Sequence, residues 1–382
     1  MNSQTERIID WLSQMVQIPS VNPVQQGPRA GVPGEKAMAE FLAARFRELG
    51  GEVEVADVMP GRPNVYGIWR GKTDRWVALD VHTDTVGVEQ MTDEPFDGRV
   101  ENGRVWGRGA VDTKASLALI LTLLEDLQLA HEKPEPNLIV VATMSEESGG
   151  EGAEAFAAWV RRKGFKIDQL IVAEPTLCVP VHGHKGILAM EFIVRGKTAH
   201  SSKPHLGQNA VVAAAHLVAA LAQEHERLQT IPPTTELGAA TLTVTIIEGG
   251  KGQNIVPDEC HIWASKRMIP GENPEADLAY FAQLAAQNCP LPVEIRTRVG
   301  VGAFYQTADT PFIQQLCQWS GLQPDVAPYG TNALAYGEGV AEEIVIFGPG
   351  SIDQAHGEVE WVEIAELEKA MGIFEQWLGV KL

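Results

Sequence analysis

The residues best able to do chemistry are histidines and carboxylates placed where apolar stretches end. Val77-Ala-Leu-Asp-Val-His82-Thr-Asp84 sets His82 and Asp84 two apart, on one face of a strand end. Gly107-Arg-Gly-Ala-Val-Asp112 brings Asp112 out of a glycine turn just before a helical pattern. Met144-Ser-Glu146-Glu147-Ser-Gly-Gly150 closes an apolar run with two adjacent carboxylates, and Val172-Ala-Glu174-Pro175 closes another with one. Gly348-Pro-Gly-Ser-Ile-Asp-Gln-Ala-His356 follows a strand with a loop that carries a single imidazole. Taken singly, each has a plainer reading: Asp112 as a helix N-cap, the Glu146–Glu147 pair as a solvated turn, His356 as an ordinary loop residue. Together they fall at the carboxyl ends of strands, where open α/β sheets collect ligands.

Two histidines and several carboxylates, with no nearby cysteine, form a donor set for hard-to-borderline dications. Charge counting favours two ions, balanced by Asp112, Glu147, Glu174 and one hydroxide. Glu146 is then left over beside a ligand, where a general base for an activated water belongs. Asp84 is placed to take the second N–H of His82.

The elements that must position these groups alternate. Helix patterns cover Glu35 to Leu49, Ser116 to Leu129 and Gly152 to Arg162, and strand patterns cover Trp76 to His82, Asn137 to Met144 and Gln169 to Ala173. Near-continuous apolar strands in a βαβα rhythm predict a mostly parallel sheet with helices on both faces. After Val181 the order becomes βαββαβ, through Ile187–Arg195, Gln208–Glu226, Ala240–Glu248, Glu259–Lys266, Pro274–Gln287 and Val293–Thr297. The expected organisation is a catalytic domain of residues 1–181 and 298–382, with a ferredoxin-like domain of residues 182–297 inserted in it. His182-x-His184, with Gly183 and Gly186 as neighbours, reads as a hinge turn into the inserted domain, outside the metal set.

Composition narrows the function classes. The 382 residues carry 30 Lys+Arg against 50 Asp+Glu, a formal charge of −20 that disfavours nucleic acid and anionic membrane as partners. An anionic substrate therefore needs a local cation or metal. Four scattered cysteines, without a CxxC pair, read as buried free thiols of a reducing compartment. The first residues form an amphipathic helix rather than a leader, and the expected location is the cytoplasm.

The segments HTDTV (82–86), GRGAVDTK (107–114), SEESGG (145–150), AEPT (173–176) and GPGSIDQAH (348–356) resemble the signatures of the dizinc deacylase and exopeptidase family. That family includes acetylornithine deacetylase, succinyl-diaminopimelate desuccinylase, aminoacylase and carboxypeptidase G. The resemblance implies one metal on His82 and Glu174, another on Glu147 and His356, Asp112 bridging both, Glu146 as base and Asp84 as partner of His82. Zinc is the implied ion, with cobalt or manganese as alternatives. It also makes the inserted domain a lid and dimerisation module, and the protein a homodimer. GKTAHSSKP (196–204) resembles the lid motif whose histidine, here His200, steadies the oxyanion in a neighbouring subunit. GQNIVP (252–257) and KRMIP (266–270) resemble segments that grip a substrate carboxylate, which assigns Asn254 and Arg267 to substrate binding. The plainer readings are a surface residue for His200 and a sheet-edge charge for Arg267.

The implied reaction is hydrolysis of the amide bond of an N-acyl amino acid with a free carboxylate, by a metal-bridging hydroxide. The sequence resembles the acetylornithine deacetylase branch most. A desuccinylase-like deacylase and a carboxypeptidase or dipeptidase on short peptides are the alternatives within the family. A non-catalytic binding or dimerisation protein is the alternative outside it, and the surplus Glu146 weighs against that. Thr331-Asn332 departs from the Thr-Asp of many relatives.

Overall fold

The computed structural model describes residues 3–32, 34–337 and 339–380. The chain divides into two compact units, one of residues 1–182, 306–325 and 331–382, the other of residues 183–305 and 326–330.

In the first unit, Asn137–Thr143, Trp76–His82, Ile167–Val172 and Ala341–Ile346 run parallel, with Trp76–His82 between Asn137–Thr143 and Ile167–Val172. Their runs of Val, Ile and Leu are buried almost throughout, as strands covered on both faces require. An antiparallel hairpin, Glu52–Met59 with Arg62–Trp69, extends the sheet beyond Asn137–Thr143. The two faces are distinct. Val65, Leu79, Val140 and Ile171 pack into a core with helices Gln4–Val16, Lys36–Glu48, Ala115–Leu129 and Ile364–Leu378. On the opposite face Tyr66 stacks on Trp159 of helix Glu151–Lys163, with ring centroids 4.6 Å apart.

The mostly parallel sheet with helices on both faces is thus present, with boundaries within a few residues of those expected. The hairpin was not expected from the sequence, and neither was helix Pro311–Ser320. No helix among the described residues is long and apolar enough to cross a membrane. Cys178, Cys260 and Cys289 are buried free thiols, while Cys317 is half-buried.

The second unit has four antiparallel strands in the order Thr241–Gly249, Glu259–Met268, Gly186–Arg195 and Val293–Val301, with helices Ala210–Gln229 and Pro274–Asn288. That is the βαββαβ sequence order. The last strand passes Thr297 through a bulge and continues to Val301, so the unit reaches beyond residue 297. Cys260, Ile262, Ala264 and Met268 alternate into a core shared with Leu217, Leu221 and Phe281. Lys266 breaks the apolar alternation. It is buried with its ammonium on Glu272 (2.7 Å) and Asp277 (2.5 Å).

His182 and His184 lie in a strand, Val181–His184, and not in the expected hinge turn. Burial drives the His184 imidazole down to about 4, although its hydrogen bond with the Lys185 carbonyl works the other way. A base whose folded pKa lies below its unfolded value of about 6.5 stabilises the fold fully above pH 6.5. That contribution is lost as pH falls toward 4. His184→Gln should therefore flatten the stability profile between pH 6.5 and pH 4, by at most about 3 kcal/mol at the acid end. Urea unfolding of both proteins at a series of pH values measures this, and parallel profiles would contradict it.

Candidate functional site

His82 ends its strand, Glu146 and Glu147 follow Asn137–Thr143, Glu174 follows Ile167–Val172, and His356 lies in the loop after Ala341–Ile346. Parallel pairing puts these four strand ends on the same edge of the sheet. Asp112 precedes helix Ala115–Leu129 in a segment with non-helical backbone, and Lys114 rather than Asp112 stands at the N-cap position.

The Asp112 carboxylate is shared. Its Oδ1 is 2.9 Å from His82 Nε2 and its Oδ2 is 3.1 Å from His356 Nε2. His356 Nε2 also lies 3.1 Å from Glu147 Oε1. Ligand atoms of His82, Asp112 and Glu174 lie within 4.8 Å of one another, and so do those of Asp112, Glu147 and His356. A third group, His82 with Glu146 and Glu147, meets the same limit. The structure thus brings together all five residues expected to bind metal, and places Glu146, the expected base, beside them.

Asp84 acts differently from the simple expectation. His82 Nδ1 donates to the Asp84 backbone carbonyl at 2.9 Å, and the carboxylate is 3.7 Å away. That carboxylate accepts the backbone N–H groups of Glu146 and Glu147, both at 3.0 Å, and the Asn22 amide at 2.8 Å. Asp84 therefore fixes the imidazole through its backbone and the two-glutamate turn through its side chain. Glu35 reinforces the turn by accepting the Ser145 N–H (3.2 Å) while paired with Arg62. Ser145 and His356 hold positive φ, at 66° and 59°, conformations that non-glycine residues adopt mainly where their surroundings enforce them. Gly350 is needed in the His356 loop, because its φ is 81° and a Cβ there would lie 2.1 Å from Val111.

The electrostatics show excess negative charge. Burial, followed by the neighbouring carboxylates, lifts Glu146 and Glu174 well above the usual carboxylate range. Burial lifts Asp84 to about 6 despite the nearby His82. Burial resists a charge on His82, yet Asp112 and the surrounding glutamates hold its pKa well above the ordinary value. Hydrogen bonds with Asp112 and Glu147 raise His356 to about 10. Burial also resists charge on Asp112, but the two imidazoles keep it below the usual carboxylate range. A cluster of this kind gains from added positive charge, and its imidazole nitrogens and carboxylate oxygens fit divalent ions of zinc type.

The remaining expected residues belong to the second unit. His200 is exposed. Its segment pairs with that of Asn254 through Ser201 N–H to Asn254 O (2.9 Å) and Val256 N–H to Ala199 O (2.8 Å). His200 Nδ1 accepts the Ser202 N–H at 3.1 Å, so the neutral ring carries its proton on Nε2. Arg267 is half-buried on an inner strand, between Ile187 and Thr241 in register, and is not an edge charge. No described residue pairs with its guanidinium.

Asn332, the departure from Thr-Asp, donates through Nδ2 to Asp80 Oδ2 and Thr143 Oγ1, both at 3.0 Å. Asp80 also accepts from Tyr336 (2.6 Å) and Thr143 (2.7 Å). An amide fits here because a carboxylate would face the buried Asp80 carboxylate without a proton to offer. Asn332→Asp should cost about 1.5–3 kcal/mol in chemical denaturation. Native stability in the variant would mean that the buried network does not depend on this amide.

Residues 78–379 match the family described as peptidase family M20/M25/M40. The chain is 30% identical over 352 residues to the acetylornithine deacetylase of Vibrio vulnificus (strain CMCP6), covering 90% of this chain and 91% of that one. Its fold is similar to that of an M20 family metallo-carboxypeptidase from Sulfolobus solfataricus, with a TM-score of 0.79, 19% identity and 98% of both chains covered. It is also similar to a dinuclear metal-binding peptidase from Bacillus subtilis, with a TM-score of 0.67, 15% identity and 99% of both chains covered.

Proposed function

The chain belongs to peptidase family M20/M25/M40, whose members are hydrolytic enzymes, and from that premise we propose that it hydrolyses the amide bond of an N-acyl amino acid, as an acetylornithine deacetylase does. The observation that carries the reading is the Asp112 carboxylate, with one oxygen turned to each of two His/carboxylate groups.

His82 and Glu174 would hold one divalent cation and Glu147 and His356 a second, with Asp112 giving an oxygen to each; zinc suits these donors, with cobalt or manganese as alternatives. Such ions, when bound, supply Lewis-acid polarisation of the scissile carbonyl and make water acidic near neutral pH. The chain's own residues do the rest. Glu146 accepts the proton of the attacking water on a carboxylate oxygen and passes it to the leaving nitrogen. Asp84 holds Glu146 in place by accepting its backbone N–H.

His200 presents Nε2–H as a donor for the developing oxyanion. In the homodimer that we propose, it serves the site of the partner subunit. Arg267, with Asn254, receives the substrate's α-carboxylate, for which a planar guanidinium is the matching donor. A cytoplasmic location accords with this role.

A panel of N-acetyl amino acids, N-succinyl amino acids and dipeptides, assayed with the zinc-loaded enzyme, tests the reading. The highest kcat/KM should fall on an N-acetyl amino acid. Preference for dipeptides would move the assignment to the peptidase branch, and no turnover of any would contradict it. Glu146→Gln should lower kcat by about 10²–10⁴ while metal content is unchanged. Near-native kcat in that variant would remove Glu146 as the base. Arg267→Ala should weaken the reaction of an N-acetyl amino acid and leave that of its carboxamide little changed. Equal losses on both would make Arg267 a structural charge.

A further inference from the structure

Arg108 and Glu360 form a buried ion pair, with side chains 1% and 0% exposed and Arg108 Nη1 donating to Glu360 Oε2 at 2.6 Å. Glu360 belongs to none of the metal-capable groups among the described residues. A buried pair is by itself weak evidence for stability, because a well-packed apolar pair often serves as well. What distinguishes this one is the destination of its other polar atoms. Glu360 Oε1 accepts the backbone N–H groups of Val111 (3.1 Å) and Asp112 (3.3 Å). Arg108 Nη2 donates to the carbonyls of Gly87 and Gly357, both at 3.2 Å. Gly87 belongs to the loop that leaves His82 and Asp84, and Gly357 is the neighbour of His356.

Three ligand-bearing segments therefore converge on one ion pair. Backbone bonds fix the pair from outside, with Gly107 N–H donating to Glu360 O (3.0 Å) and Arg108 N–H to Pro95 O (2.7 Å). The Asp112 backbone is non-helical, with φ −121° and ψ 89°, so helix hydrogen bonding does not set the aim of its side chain. We infer that Arg108 and Glu360 are positioning residues that aim Asp112 and His356 and thereby set the affinity of the metal shared by Asp112, Glu147 and His356. Groups that orient ligands from behind in this way typically account for about 10–100-fold in metal affinity. The inference rests on the two-metal reading above.

The test is zinc affinity of the apoprotein, measured by competition with a chromophoric chelator, with circular dichroism recording the folded fraction at the same temperature. Glu360→Gln keeps the side chain's size but removes its charge. Arg108→Lys keeps a cation beside Glu360 but lacks the fork that reaches both carbonyls. Both should lower the affinity for the zinc ion that is also lost in His356→Ala by about 10–100-fold in protein that remains folded. Leu217→Ala, in the core of the second unit, should lower thermal stability and leave zinc affinity unmoved, which separates positioning from general destabilisation.

If Glu360→Gln does not fold, Arg108→Lys carries the test. Native uptake of two zinc ions, with folded variants binding within about twofold of native, overturns the inference alone. A native protein that takes up no zinc overturns the two-metal reading and this inference with it.

Discussion

One carboxylate facing two imidazoles is the interaction on which the rest of the site depends. Asp112 gives Oδ1 to His82 and Oδ2 to His356, and these residues come from segments far apart in the chain. Around it Glu146, Glu147 and Glu174 gather at distances that cost free energy unless cations are added. Burial and mutual repulsion already push Glu146 and Glu174 toward their protonated forms. Such crowding favours added positive charge.

The scaffold around this centre is polar and largely made of backbone donors. Asp84 receives two backbone N–H groups of the glutamate turn, Glu35 receives a third, and Glu360 receives two from the Asp112 segment. Each carboxylate is buried, and each is itself held by an Asn or an Arg. Carboxylates thus do two jobs here: some face the centre as metal-capable groups, and others stand behind and fix the loops. The parallel sheet supplies rigid strand ends, and the buried polar contacts convert that rigidity into side-chain direction.

The centre itself was legible in the sequence. His82, Glu146, Glu147 and Glu174 are chemically distinctive types placed where apolar runs stop, Asp112 and His356 stand in glycine-bearing segments, and strand ends are where such sheets bind ligands. The supporting network was not, because a buried charge and a surface charge look alike in one dimension. Arg108 and Glu360 are 252 positions apart, and nothing local pairs them. A trace of signal existed, since Arg108 lies inside the GRGAVDTK segment and Glu360 only four residues after His356. The hairpin Glu52–Trp69 is faint in the sequence because its first strand, EVEVADVM, is half-exposed and charged. Helix Pro311–Ser320 had a readable start and stop, Pro311 at its first turn and Gly321 in the left-handed conformation at its end. The role of Asn332 required the fold, because its partners Asp80 and Thr143 are reached only across the sheet.

Whether Asp112 joins two metal sites into one is tested most directly by the zinc stoichiometry of the purified protein and of three variants, determined by elemental analysis after equilibration with buffered zinc. Two ions per native chain, one in His82→Ala, one in His356→Ala and none held tightly in Asp112→Ala is the expected pattern. A single ion in the native chain, or two ions retained by Asp112→Ala, would contradict a shared carboxylate at the heart of the site.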